Sequence, residues 1–255
     1  MQIEQFQLHA RIEEEHWWFR ARRRIMVALA NRLTGGIDHQ TIVDVGCGTG
    51  ANIAALSRQH TCVGFDTSRY AIESAKARYP QVHFICSRYP EDSTIDQTNV
   101  RLVLLMDVLE HIQDDSRFLS NLVSSQNKGT YILIMVPADR QLWSCQDVNH
   151  GHFRRYQLDG LRTILEELPV GIHLLSYFNS YLYPVVRVLR MLNRLFGRTW
   201  GEAGTDLKIP STFTNKVLEC IFFHESQFLL RALAQKRRSG FPFGVSLIAI
   251  IRKQT

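Results

Sequence analysis

From Thr41 onward, short β-branched or wholly apolar runs alternate with helical patterns. The runs TIVDV (41–45), CVGFD (62–66), VHFICS (82–87), RLVLLMDV (101–108) and TYILIMV (130–136) predict strands. ANIAALSRQH (51–60), SRYAIESAKARY (68–79) and DDSRFLSNLVSSQ (114–126) between them predict helices. Such alternation implies an α/β fold in which parallel strands are joined by right-handed crossovers. Further on, LDGLRTILEEL (158–168) reads as a helix, IHLLSYF (172–178) as a strand and VSLIAIIRK (245–253) as the last strand. Upstream, Trp18, Ile25, Met26, Leu29 and Leu33 recur at helical spacing over 16–33, and Gly35-Gly36 ends that helix. The expected organisation is one domain over 1–255: a helical N-terminal cap (1–38), a core (39–178 and 245–255) and a helical insertion (179–244).

Composition narrows this little. With 255 residues, 45% hydrophobic and 21% charged, the chain can bury a sizeable core and is neither disordered nor fibrous. A net charge of +6 leans toward anionic partners, without the charge blocks of a nucleic-acid tail. Five scattered cysteines with no C-x-x-C pair argue against a disulfide framework or a zinc site. MQIEQFQLHARIEEEH lacks the basic start and apolar run of a secretory signal, and the longest uncharged stretch, Val170–Val186, is too short and too interrupted to span a bilayer. A cytoplasmic location is the expectation.

The chemistry concentrates at Asp44-Val45-Gly46-Cys47-Gly48-Thr49-Gly50, directly after one strand and before one helix. Glycines there let the backbone turn tightly and present its N–H groups to a ligand. Asp66 closes the next strand about 20 residues later, where a carboxylate can accept from both ribose hydroxyls. A dinucleotide fingerprint would read G-x-G-x-x-G, whereas this loop is G-x-G-x-G and carries Asp44. A carboxylate repels a pyrophosphate but suits the ammonium and sulfonium of S-adenosylmethionine.

DVGCGTG, VGFD and the strand-end MDVLEHI together resemble the class I S-adenosylmethionine-dependent methyltransferases, with the quinone-biosynthesis methyltransferases among the nearest in pattern. The resemblance covers about Thr41 to Val136; HWWFRARR (16–23) and GHFRRY (151–156) resemble segments of bacterial methyltransferases of glycoconjugate and natural-product assembly. It implies a Rossmann-like, seven-stranded, mostly parallel sheet with helices on both faces and VSLIAIIRK antiparallel. It also implies that Asp44, Gly46, Cys47, Gly48 and Gly50 lie at the methionine part of the cofactor, that Asp66 holds the ribose, and that Asp107 faces the methionine side or the substrate. Ser87 stands where relatives place an adenine-contacting Asp, and Arg101 where they have Asp before the fourth strand. Val136-Pro137-Ala138-Asp139 does not match the Asn/Asp-Pro-Pro-aromatic motif of nucleic-acid amino-methyltransferases, which argues against a nucleic-acid acceptor.

A hydroxyl acceptor benefits from a base near neutrality, so His111 and His152, both after strand ends, are the candidate catalytic groups. Glu110, His111 and Asp107 are too close in sequence to complete a metal site, and no metal is expected. Arg154 and Arg155 offer planar forks to a phosphate or carboxylate, or else pair with acids such as Asp147 or Glu166. Trp18, with Trp17 and Phe19, is a candidate lid over the acceptor or part of the core.

Drawn as a helix, 184–198 gathers Arg187, Arg190, Arg194 and Arg198 within roughly 80°, opposite Val185, Val188, Leu189 and Leu192. That helix either touches an anionic membrane or lines a pocket for a lipid-linked acceptor, or simply covers the sheet with its arginines in water. The expected activity is methyl transfer to oxygen of a small-molecule, glycoconjugate or lipid-linked acceptor. The alternatives are an RNA or protein methyltransferase, a nicotinamide oxidoreductase and a non-catalytic cofactor-binding subunit.

Overall fold

The computed structural model describes residues 3–93, 95, 99–196, 205, 207–235 and 240–254, without the side chains of 194–196. Seven strands form one sheet: β1 (Thr41–Val45), β2 (Thr61–Asp66), β3 (His83–Cys86), β4 (Val100–Met106), β5 (Tyr131–Pro137), β6 (Val170–Phe178) and β7 (Ser246–Lys253). Their order is β3-β2-β1-β4-β5-β7-β6. β1 to β5 pair in parallel, and β7 runs antiparallel between β5 and β6, as expected of VSLIAIIRK.

Successive residues on a strand point to opposite faces. Leu102, Leu104, Leu133, Met135, Ile248 and Ile250 therefore join one core, and Val103, Leu105, Ile132, Ile134, Ala249 and Ile251 the other. Helix α2 (Trp17–Thr34) covers the first face through Ala21, Ile25, Met26 and Leu29, together with α9 (Thr212–Ala234) through Phe222 and Leu229. The second face is covered by α5 (Asp115–Ser125) and α7 (Leu158–Glu166). Burial on both faces explains why the strands read as continuous apolar runs.

Capping agrees with sequence. His16 accepts the Trp18 N–H (3.2 Å) at the start of α2, and Gly35, at φ 69°, ends it. The predicted helix at 51–60 shortens to α3 (Ala51–Ala54) before breaking into turns. Two helices had no clear pattern: α1 (Ile3–Ile12), and α6 (Cys145–His150), which is too short for periodicity to show. Between β2 and β3 lies α4 (Arg69–Arg78), and between β6 and β7 lie α8 (Tyr183–Phe196) and α9.

The strand order reverses between β1 and β4, which opens a crevice at the carboxyl ends of the parallel strands. Asp107, Asp139 and Asn179, each just beyond a strand end, adopt left-handed φ of 60°, 57° and 54°, a region Asp and Asn tolerate better than most residues. Helices α1 and α2 close over this edge. Buried Glu13 accepts from Thr49 Oγ1 (2.7 Å) and from Arg78, while Glu14 accepts from the Tyr79 hydroxyl (2.5 Å) and Arg23 (2.7 Å).

Replacing Glu13 with Ala leaves a buried hydroxyl and a guanidinium without their shared acceptor. A loss of about 2 kcal/mol is expected in urea titration, together with faster amide exchange across Ile3–Ile12.

Candidate active site

A cavity of about 1170 Å³ fills the crevice beneath the α1–α2 lid. Single-ligand pockets run about 300–1,000 Å³, and this one is somewhat larger. Its floor is the loop after β1, with Asp66, Ser87 and Asp107 from the next strand ends. Its lid includes Phe6, His9, Trp18 and Arg22, and its far wall carries His111, His150 and His152.

The loop turns through left-handed glycines at Gly46, Gly48 and Gly50 (φ 71°, 54° and 89°). A Cβ at Gly46 would lie 2.7 Å from Val108 Cγ2, and one at Gly50 2.7 Å from Phe84 Cζ, so neither position admits a side chain. The Gly46 and Cys47 amides donate to the Phe65 carbonyl (2.8 and 2.9 Å), tying the loop to β2. Asp66 accepts the Gly48 amide on Oδ2 (2.9 Å) and the Ser68 amide on Oδ1 (2.8 Å). Burial nonetheless raises the Asp66 pKa against those backbone bonds. Beneath the loop, Asp44 is 1% exposed and both its carboxylate oxygens lack a hydrogen-bond partner. Burial, reinforced by the Asp66 charge, pushes its pKa up to about 8. An uncompensated buried carboxyl beside a loop of this shape fits a cationic ligand group.

Arg22, 4% exposed, reaches from α2 to grip Asp107, with Nη2 2.7 Å from Oδ1 and Nη1 on Oδ2. Its guanidinium sits 4.7 Å from the Trp18 ring centroid. That pairing occupies both oxygens of Asp107, leaving its carboxylate committed to the lid.

Four imidazoles form a chain: His9 to His150, His150 to His152 and His152 to His111, at ring-centroid distances of 5.4, 5.5 and 4.8 Å. Burial holds the pKa of His9 and His111 down to about 4 and that of His150 to about 3. His152 Nδ1 lies 2.9 Å from Asp147 Oδ1, and fully buried Asp147 also accepts from Arg155 Nε (2.8 Å) and the Ser144 amide (2.8 Å). Although burial opposes it, the His152 bond and the charges of Arg155 and Arg190 keep Asp147 well below the usual carboxylate range. Glu110 is fully buried on the cavity wall with both oxygens unpartnered, and burial raises its pKa strongly. Its carboxylate and one ring nitrogen each of His111 and His152 lie within 4.8 Å of one another.

Of the residues singled out from sequence, His111, His152, Gly46, Cys47, Gly48, Asp66, Ser87, Asp107, Trp18 and Arg155 line this cavity. Asp44, Gly50 and Arg154 do not. Gly50 makes room for Phe84 and Ala75. Arg154 turns away to Asp115 (2.9 Å) and the Gln113 carbonyl (2.5 Å), and Arg155 is committed to Asp147 and the Ala138 carbonyl (2.9 Å). Both forks are thus engaged within the protein, Arg155 with Asp147 as the alternative reading had it. Arg101 sits at the opposite end of β4, against Tyr131 and the Leu33 carbonyl.

The arginine face of α8 is solvated only in part, with Arg187 exposed and Arg190 buried. Arg190 is buried against the Leu142 carbonyl and Gln146, and Arg187 bonds Gln141 and the Tyr183 hydroxyl (3.1 Å). The Arg194 side chain and Arg198 lie outside the described residues. Sequence reasoning missed Arg22, Glu13 and His9, and named Asp147 only as a partner for the arginines. HWWFRARR alone carried a hint of the first, because the cavity partners of these three, Asp107, Thr49 and His150, lie 36 or more residues away in the chain.

Comparison with known proteins bears on the family and the fold. A methyltransferase domain family matches residues 17–168, more than half of the chain. A probable S-adenosylmethionine-dependent methyltransferase of Mycolicibacterium smegmatis is 27% identical over 129 residues, covering 49% of this chain and 48% of that protein, so the chain aligns with about half of the relative's length. The methyltransferase-like partner of the Haloferax volcanii Trm112 activator superposes with a TM-score of 0.58 at 15% identity, covering 98% of both chains. The [4+2]-cyclase SpnF superposes at 0.55, also at 15% identity, covering 91% of this chain and 82% of the other. At these identities the superpositions speak to fold alone. By family match and sheet topology together, this chain belongs to the methyltransferase domain family and has the Rossmann-like fold of the class I S-adenosylmethionine-dependent enzymes.

Proposed function

We propose that this chain transfers the methyl group of S-adenosylmethionine to a hydroxyl oxygen of a small-molecule or lipid-linked acceptor. The observation that carries this reading is one cavity joining the glycine loop and Asp66 to the histidine chain beneath a single lid. Bound there, the cofactor supplies a methyl carbon already activated by positive sulfur, so positioning and exclusion of water do most of the work.

The Gly46–Gly48 backbone receives the methionine part, Asp66 the ribose hydroxyls, and Ser87, whose Oγ has no protein partner, the adenine edge. Asp44 balances the cofactor's positive charge from beneath the loop. Asp107, held by Arg22, positions the lid and not the acceptor.

On the acceptor side, Asp147 takes the Nδ1–H of His152 and leaves Nε2 free to accept the hydroxyl proton as the O–C bond forms and the S–C bond breaks. His111, kept neutral by burial, stands at 4.8 Å as the neighbouring proton acceptor. Trp18 walls the acceptor side.

Incubating the enzyme with methyl-labelled cofactor and nuclease- and protease-treated extracts should label a small or lipid-soluble molecule detectable by mass spectrometry. Label found solely on nucleic acid or protein in untreated extracts defeats the acceptor assignment. Asp66→Ala should weaken cofactor binding at least tenfold by calorimetry. His152→Ala should lower kcat by about 10²–10⁴ while cofactor affinity stays within threefold.

A pH test separates Asp44 from the rest. In the empty site its carboxyl is largely protonated at neutral pH, and an adjacent cation lowers its pKa, so cofactor binding should release close to one proton. Calorimetry in buffers of different ionisation enthalpy reads that number. Asp44→Asn should abolish it.

A further inference from the structure

Helix α8 is mounted with its apolar side outward. Tyr183, Val186, Arg190 and Asn193 face the protein, whereas Val185, Val188, Leu189, Met191 and Leu192 are 57, 51, 47, 55 and 38% exposed. Exposed leucines scattered singly need no explanation, but five apolar residues on one helix over about 10 Å form a contiguous face. Its inward anchors are polar: Arg190 to the Leu142 carbonyl, Arg187 to Gln141, and the Tyr183 hydroxyl to Asp139 (2.7 Å). From the other side, Glu225 accepts the Ser180 and Tyr181 amides (2.7 and 2.8 Å) in the turn leading into the helix. The outward apolar face is therefore imposed by specific bonds.

Charge selects the occupant. Helix α8 contains no acid, and the two in α9, Glu219 and Glu225, are buried. Among the described residues the exposed charged groups of these two helices are basic: Arg187 on α8, at the edge of its apolar face, and Lys216 and Arg231 on α9. Helix α9 adds its own exposed stripe of Phe213, Val217 and Ile221 at every fourth position. Two copies of the chain meeting here would oppose like charges, on a protein of net charge +6. An anionic bilayer complements both the apolar residues and the cations. No described helix is long and apolar enough to cross a membrane, so contact would be confined to the interface.

The same helix forms part of the active cavity. Val186 and Leu189 line it, and Leu189 is also half exposed, which places the rim of the cavity at the apolar face.

We infer that α8 docks this chain, apolar face first, on an anionic phospholipid surface, so that an acceptor with a lipid tail passes from the bilayer along α8 into the cavity. This extends the proposed function by naming the source of the acceptor and rests on it for the acceptor's identity. The docking itself is measured without cofactor or acceptor, so it and the methyl-transfer reading fail separately.

The test is flotation of the full chain with phosphatidylcholine vesicles, with and without one third phosphatidylglycerol. The chain should float with the anionic vesicles and far less with the neutral ones, and raised salt should weaken the contact. Val188→Glu and Met191→Glu, neither on the cavity wall, should each cut the bound fraction at least tenfold while cofactor affinity by calorimetry stays unchanged. Val188→Leu should bind as wild type does. No flotation of wild type at millimolar lipid, or flotation undiminished in both glutamate variants, overturns the inference. So does concentration-dependent dimerisation in ultracentrifugation that Val188→Glu abolishes, since that makes the face an interface between copies.

Discussion

The bond from the Gly48 amide to the Asp66 carboxylate ties the loop after β1 to the end of β2 beside the crevice, and the functional geometry is arranged around it. It holds when the loop after β1 can pass through left-handed backbone, which glycine supplies, and when no side chain occupies the space of Val108 or Phe84. Glycine at these positions therefore serves packing as much as ligand approach. Asp44 and Asp66 both have raised pKa values, burial being the main cause at each and the Asp66 charge adding to it at Asp44. That arrangement costs stability in the empty protein and favours a cation in the filled one.

The lid is built from the opposite material. Glu13 and Glu14 hold Arg78, Tyr79 and Arg23, and Arg22 holds Asp107, so charged groups from α1 and α2 clasp both sides of the cavity. Buried ionic pairs of this kind set geometry more than they add stability. On the other side, α8 lines the cavity with Val186 and Leu189 beside Arg190 and Asn193. In the proposed reading a charged nucleoside lies beneath the ionic lid and the acceptor beside α8.

The histidine chain shows how burial assigns roles to one side-chain type. His9, His111 and His150 are held neutral by their surroundings, and His152 alone among the four is gripped by a carboxylate, Asp147. Asp147 in turn draws Arg155 and, at 3.9 Å, Arg190, so the segment 144–155 and helix α8 are tied to one acid. Of the GHFRRY arginines, Arg155 thus shares with His152 the carboxylate of Asp147.

The strands, the glycine turn and the strand-end place of Asp66 were legible in the sequence because each depends on local pattern: apolar runs of strand length, punctuation by Gly, and an acid at a strand end, while the antiparallel β7 came from the family resemblance. Long-range pairing left no such trace. Arg22 finds Asp107 across 85 residues, Glu13 finds Arg78 across 65, and His150 meets Gln5 across 145. The amphipathicity of α8 was equally plain, but its orientation was not. A helical wheel separates two faces without saying which is inside, and here the nearby Leu142 carbonyl, Gln141 and Asp139 drew the polar face inward. Local periodicity and backbone freedom thus specified the elements and the cofactor loop, whereas the lid, the wall and the outward face of α8 arose only when distant hydrogen-bonding groups had to find partners in the folded chain.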